Sequence, residues 1–295
     1  MNTDHFPPLF LSHGSPMTAL EPREAGAFMH KLGRVLDTGL GRPRAVLMIS
    51  AHTSAKQVLL LGGLQHQAIY DFGGFADQLR TLRYDANGAP DLAEEIVALT
   101  RHAAQSIQLT EQSGLDHGAW VPLRYLYPDA DVPVLPLAFV ANASPAQQFA
   151  LGQMLAPLAQ SGVLIIASGS ITHNLGLVFG QGRPPAIDAP EIEASRVFRN
   201  WWLERSAARD WQALLDYRAQ APFGIAMHPT DEHLLPWFIT AGAGGVEAAP
   251  HRLHSSLTFG SLGMDAYAFG PATPRLVQAL ATNQSAAAIL PAMRV

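Results

Sequence analysis

Histidine is the residue type through which this sequence offers chemistry. Of 295 residues, 12 are histidine and none is cysteine. Three histidines follow short apolar runs. Pro8-Leu9-Phe10-Leu11 leads into Ser12-His13-Gly14-Ser15, and Ala45-Val46-Leu47-Met48-Ile49 leads into Ser50-Ala51-His52-Thr53. Gly162-Val163-Leu164-Ile165-Ile166-Ala167 leads into Ser168-Gly169-Ser170-Ile171-Thr172-His173-Asn174. Neutral imidazole is the commonest metal ligand, and its pKa near neutrality also suits it to acid/base work. Small residues surround His13 and His52, so a metal and a substrate can approach the backbone there. A core histidine would be wedged among large apolar side chains. We read His13 and His52 as metal ligands. His173 follows a glycine-serine turn and is open to three readings: a ligand, an acid/base, or an incidental member of a capping turn.

Two further stretches join the set. His117 stands between Asp116 and Gly118 at an expected helix start, as part of a cap or as an acid/base. His228-Pro229-Thr230-Asp231-Glu232-His233 holds two histidines and two carboxylates in six residues. Thr230 is expected to cap the following helix, with Asp231 and Glu232 complementing its dipole. His233, in the first turn of that helix, is well placed as a third ligand. His5, His30, His66, His102, His251 and His254 are read as solvated or locally hydrogen-bonded, in loops or on helix surfaces.

Other chemistries are excluded or unsupported. Without cysteine there are no disulfides, zinc-thiolate sites or thiol nucleophiles. No HExxH zinc helix is present, and neither Ser15 nor Ser170 lies in a G-x-S-x-G elbow. Phosphate-binding glycine motifs are also absent. The net charge of −5 argues against nucleic acid or an anionic membrane as partner. The start, Met1-Asn2-Thr3-Asp4-His5, does not read as a signal peptide, and the apolar runs are strand-sized. A cytoplasmic protein, monomeric or a small homo-oligomer, is therefore expected.

The elements that must position the histidines follow from periodicity. Apolar runs of strand length at 45–53, 132–140 and 163–167 read as strands, the first of them buried on both faces. Shorter strands are expected at 58–61, 106–110 and near Leu257 and Ala266. Helices are expected at 22–36, 90–102, 116–126, 144–160, 188–206, 210–218 and 230–240. Strands alternating with helices mean an α/β fold, and open α/β sheets bind ligands beyond the carboxyl ends of their strands. If the three histidine-bearing strands are parallel neighbours, one sheet edge receives all three. The glycine- and aromatic-rich stretch 69–75 reads as a loop covering the pocket mouth. Residues 1–270 are expected to form one domain, with 271–295 as a C-terminal tail holding a short helix at 274–282.

Taken in order, six motifs resemble one family. They are Leu11-Ser12-His13-Gly14-Ser15-Pro16-Met17, Ser50-Ala51-His52, Tyr70-Asp71-Phe72-Gly73-Gly74-Phe75, Leu115-Asp116-His117-Gly118-Ala119-Trp120, Ser168-Gly169-Ser170-Ile171-Thr172-His173-Asn174-Leu175, and Pro229-Thr230-Asp231-Glu232-His233-Leu234-Leu235-Pro236. Together, over residues 7–270, they resemble the class III extradiol ring-cleavage dioxygenases, in the 4,5-DOPA extradiol dioxygenase-like branch. The resemblance implies a single α/β domain with a mixed central sheet flanked by helices. It implies metal ligation by His13 and His52, completed by His233. It implies His173 as a further ligand or as the acid/base, and His117 as a second catalytic histidine of the pocket. The implied cofactor is Fe2+, with Zn2+ as the alternative metal, and the implied partners are a small aromatic diol and O2. The chain departs at Thr53, where the family often has tryptophan, and at Ser170, where asparagine is common. Two rivals stay open: a zinc-dependent hydrolase, and a non-catalytic metal-binding protein on the same fold.

Overall fold

The apolar run at 45–51 extends, in a computed structural model, into the longest strand of a central sheet. The structure describes residues 5–103, 106–180 and 182–289; residues 1–4 of the expected leaderless start and 290–295 of the expected tail lie outside the described residues. The strands are β1 (Leu9–Ser12), β2 (Ala45–Ser54), β3 (Leu59–Leu61), β4 (Gln65–Gln67), β5 (Asp85–Asn87), β6 (Gln108–Thr110), β7 (Val134–Phe139), β8 (Val163–Gly169), β9 (His251–His254), β10 (Leu257–Thr258), β11 (Leu262–Gly263) and β12 (Ala266–Ala268). The helices are α1 (Arg23–Val35), α2 (Pro90–Thr100), α3 (His117–Leu126), α4 (Pro145–Leu155), α5 (Leu175–Phe179), α6 (Glu193–Ala208), α7 (Trp211–Leu215), α8 (Tyr217–Gln220), α9 (Gly224–Met227), α10 (Leu235–Gly244) and α11 (Thr273–Ile289).

Eight strands form one sheet in the order β6-β3-β7-β2-β8-β1-β12-β9. The centre is parallel: β7 with β2, β2 with β8, and β8 with β1. Pairings of β3 with β7, β1 with β12, and β12 with β9 are antiparallel, so the sheet is mixed as expected. Successive strand residues point to opposite faces, and two apolar clusters follow. Leu47, Ile49, Ile165 and Ala167 pack on one face with side chains of α4, α6 and α10. Val46, Met48, Leu164 and Ile166 pack on the other with α1 and α3.

The register explains the site. Ser50 lies opposite Ser168, and Ser12 opposite Gly169, so the pairing of β8 with β2 and with β1 stops nearly level, and β2 runs on to Ser54. Residues 45–51 are buried, and the chain opens at His52. The three histidine-bearing strands are thus parallel and contiguous, with β8 in the middle.

Several elements differ from expectation, each for a tertiary reason. The helix expected from 230 begins only at Leu235, and Thr230 does not cap it. Asp231 is drawn aside: Tyr217 Oη donates to it at 2.7 Å and Arg218 donates to the same oxygen. Residues 228–234 form a turn instead, so His233 precedes the helix and does not sit in its first turn. The helix expected from 188 begins at Glu193, because the chain before it pairs with the β10–β11 turn through Phe259 N–H to Ile187 O and Ile192 N–H to Gly260 O, both 2.9 Å. His66, expected on a surface or in a loop, is buried in β4, where Nδ1 accepts from Gly114 N–H at 3.1 Å. His251 and His254 lie on β9, and His254 stacks on Phe28 with ring centres 4.8 Å apart. Helix α11 is longer than 274–282, and its Leu276 is buried in one cluster with Met29, Leu32 and Leu36.

Candidate metal centre

Three side chains meet beyond the strand ends. His13 leaves β1 at a turn where Gly14 is left-handed (φ 70°), a conformation glycine adopts without a Cβ clash. His13 is buried, and its Nδ1 is 2.7 Å from Ser168 Oγ on β8. His52 projects from β2, whose end is fastened by Asp116. That carboxylate caps α3 by accepting from Ala119 N–H at 3.2 Å. It also accepts from Ser50 Oγ at 2.6 Å and from the Thr53 hydroxyl. Thr53, a departure from the resembled family, therefore has a local role. His233 reaches the same point from the turn ahead of α10. Its carbonyl accepts from Ser170 N–H at 2.9 Å, and a Cβ on Gly169 would fall 2.0 Å from that oxygen. Only glycine allows this approach. Glu232 Oε1 lies 3.0 Å from His233 Nδ1.

The Nε2 atoms of His13 and His52 face each other at 3.2 Å. The His233 ring centre is 5.5 Å from that of His13 and 4.9 Å from that of His52. One donor nitrogen from each of the three lies within 4.8 Å of the others, a spacing that could hold one metal ion. Ser168 and Glu232 engage the Nδ1 atoms of His13 and His233, which leaves each Nε2 to the cavity.

The other two histidines flank this group. His117 Nδ1 donates to Asp71 at 2.9 and 3.0 Å, and His117 N–H donates to the same carboxylate at 3.0 Å. Its ring centre is 4.0 Å from that of His52. His173 stacks face to face on His233, with ring centres 3.4 Å apart. All five histidines singled out in the sequence thus meet at one place. His228 does not join them: its Nε2 donates to Ile171 O at 2.7 Å. Sequence reasoning missed Asp71 and Ser168 as partners. Asp71 is 46 residues from His117, and its aromatic neighbours mark it only as a loop residue. Ser168 and Ser170 are read from the sequence as one turn after the strand, with no sign of which faces a ring; Ser168 is in fact on β8.

Burial dominates the electrostatics. It pushes His13 and His233 well below the usual imidazole range, and the neighbouring imidazoles push the same way. Burial lowers His173 to about 4 despite the opposing charge of Glu232. His52 is lowered by burial and His117, against Asp116, Asp71 and Glu232. Burial pushes Asp71 up, but hydrogen bonds and charge from His117 outweigh it and hold the carboxyl below its ordinary value. Neutral rings with free lone pairs are what metal ligation requires, so the donor set fits a metal ion.

The five histidines open on a cavity of about 410 Å³ whose other walls include Phe72, Phe75, Phe179, Phe259 and Leu262. This volume suits one small ligand, and apolar walls with a few convergent polar groups mark a binding site. Of the aromatic loop, Phe72 and Phe75 reach the cavity. Tyr70 turns away and donates to Leu82 O at 2.5 Å. A neighbouring cavity of about 690 Å³ is larger but has no imidazole in its walls. The chemistry therefore lies in the smaller one.

Residues 2–270 match the family model described as the catalytic LigB subunit of aromatic ring-opening dioxygenase. The chain belongs to this family. It is a ring-cleaving dioxygenase, an oxidoreductase of the extradiol kind, in a metal-dependent family. The 4,5-DOPA dioxygenase extradiol of Beta vulgaris is 34% identical over 262 residues, which span 88% of this chain and 95% of that protein. The protein of the same name from Escherichia coli K12 is 32% identical, over 82% of this chain and 87% of its own. Among solved structures, the uncharacterized protein JW3007 of Escherichia coli K12 superposes with a TM-score of 0.72 at 29% identity, over 90% of this chain and 99% of that one. The family is metal-dependent, and this cavity holds a histidine cluster whose spacing could hold a metal ion. No helix among the described residues is long and apolar enough to cross a membrane.

Proposed function

We propose that the chain cleaves catechol-type rings beside the diol, with DOPA-like compounds as its substrate class, at a non-haem ferrous centre held by His13, His52 and His233. The observation that carries this reading is the convergence of those three imidazoles, from three separate elements, on one aromatic-walled cavity. When bound, ferrous ion supplies the redox chemistry that couples dioxygen to an aromatic diol; zinc fits the same donors but has no redox chemistry. Glu232, 3.0 Å from His233 Nδ1, orients that ring.

The remaining side chains handle the substrate. Phe72, Phe75 and Phe259 enclose the ring and exclude water from it. His117 donates Nδ1–H to Asp71, so its Nε2 is free to take a phenolic proton and return it as the ring opens. His173 is neutral near pH 7, and its ring stacks on that of His233. It serves as the second acid/base. Both oxygen atoms enter the product: the carbon–carbon bond beside the diol breaks, and an aldehyde and a carboxylic acid form.

The test is oxygen uptake by the ferrous-loaded protein with catechol and DOPA. One dioxygen consumed per diol, with a yellow ring-opened product, is expected. No uptake with iron, alongside ester or amide hydrolysis with zinc, would overturn the reading in favour of a hydrolase.

A further inference from the structure

The metal cavity and its larger neighbour share two wall residues, Ser15 and Phe259. Ser15 is too small to separate them. Phe259 is large, and its backbone is unusual. It occupies the second position of the tight turn between β10 and β11, where Ser261 N–H donates to Thr258 O at 3.3 Å. Both central residues are left-handed, Phe259 with φ 54° and Gly260 with φ 69°. Such a turn matches the twist of a hairpin and ordinarily takes Asn, Asp or Gly at these positions. Gly260 conforms, and a Cβ there would fall 2.7 Å from Pro190 O. Phe259 does not conform, because an L side chain in this region crowds its own carbonyl oxygen. Hydrogen bonds from Phe259 N–H to Ile187 O and from Ile192 N–H to Gly260 O hold the turn in place. A strained bulky residue, held by the segment ahead of α6, therefore stands between two cavities. Strain retained at a cavity wall points to use of the side chain.

We propose that Phe259 determines substrate specificity. Its ring closes the metal cavity toward its neighbour and limits how far a substituent on the substrate ring extends on the β10–β11 side. With the ring removed, the neighbouring space of about 690 Å³ becomes available to that substituent. The inference rests on the catechol reading above for its substrate series.

The test compares ferrous-loaded wild type with Phe259→Asn, which suits the turn but lacks the ring, and Phe259→Trp, which keeps the wall. The readout is the ratio of kcat/KM for 4-hexylcatechol to that for 4-methylcatechol within each protein. A rise of about tenfold or more is expected in Phe259→Asn, the size of effect a few methylenes have in an apolar pocket. No rise is expected in Phe259→Trp. The same ratio in Phe259→Asn as in wild type overturns the proposal. If Phe259→Asn does not fold, Phe259→Gly accepts the same backbone and is read the same way. Calorimetric binding of both catechols to the zinc-loaded proteins reads the wall without turnover. A wild type that oxidises no catechol would sink the catechol reading, whereas an unchanged binding ratio would sink the role of Phe259.

Discussion

Three of the five imidazoles at the site have one nitrogen committed to the protein. Ser168 engages His13, Asp71 engages His117 and Glu232 engages His233, in every case at Nδ1. The uncommitted nitrogens then differ by neighbourhood, and so should the losses on substitution. His52→Ala should lose bound metal, because two imidazoles cannot fill the shell. His117→Ala and His173→Ala should keep metal and turn over about 10²–10⁴-fold more slowly. Metal content and oxygen uptake on the same preparations decide this, and metal lost from His173→Ala would make it a fourth ligand. His228 gives a pH prediction. Burial lowers it to about 3, against the hydrogen bond to Ile171 O. The unfolded chain titrates it near 6.5, so between pH 6.5 and 3 the unfolded state binds the extra proton and stability falls as pH falls. In His228→Gln, the pH slope of unfolding free energy in that window should be shallower by up to about 1.4 kcal/mol per unit. An unchanged slope would remove His228 from the acid lability. At this scale the sequence was legible where small residues frame a histidine, as at His13 and His52. It was silent at Asp71, whose partner is distant along the chain.

At the scale of elements, the centre depends on how closely β8 meets the turn ahead of α10. Gly169 makes that approach possible, since a Cβ there would fall 2.0 Å from His233 O. Gly169→Ala should push the turn outward and displace His233 from His13 and His52. Metal affinity should drop by about 10–100-fold, the range seen when groups supporting a ligand are disturbed. Competition with a chelator of known affinity measures it, and wild-type affinity in a folded Gly169→Ala protein would mean that the turn is free to shift. Strands β2, β7 and β8 and helix α4 were legible, since long apolar runs and the Ser144-Pro145 start mark them locally. The start of α10 was not. Asp231 looks like a dipole-complementing residue until Tyr217 and Arg218, from another element, take it.

For the molecule as a whole, both apolar clusters are built from side chains none of which is a candidate metal ligand. Removal of metal should therefore lower stability and leave the fold in place. With free metal at a hundred times its dissociation constant, binding adds roughly 2.7 kcal/mol. Thermal unfolding with metal and after chelation should show a lower midpoint and unchanged far-ultraviolet circular dichroism. An unfolded apoprotein would mean that the centre organises the sheet. The α/β class was legible from alternation alone. Strand order was legible only as a condition, that the three histidine-bearing strands be parallel neighbours. The small β4–β5 and β10–β11 pairs were largely hidden, being two or three residues long.

That strand order also sets a timetable for synthesis. His13 and His52 are among the first residues made, yet β1 and β2 do not touch; β8 lies between them. No two-histidine half-site can close until residue 169 has left the ribosome, and the third imidazole follows some 64 residues later. At bacterial and eukaryotic elongation speeds of about 5–20 residues per second, the early histidines wait roughly 10–40 s for His233. Until β8 is made the nascent chain offers a metal ion only single imidazoles, and from then until His233 no more than a pair. The strand order therefore predicts that a three-imidazole centre forms only late in synthesis, which should limit premature capture of the wrong ion.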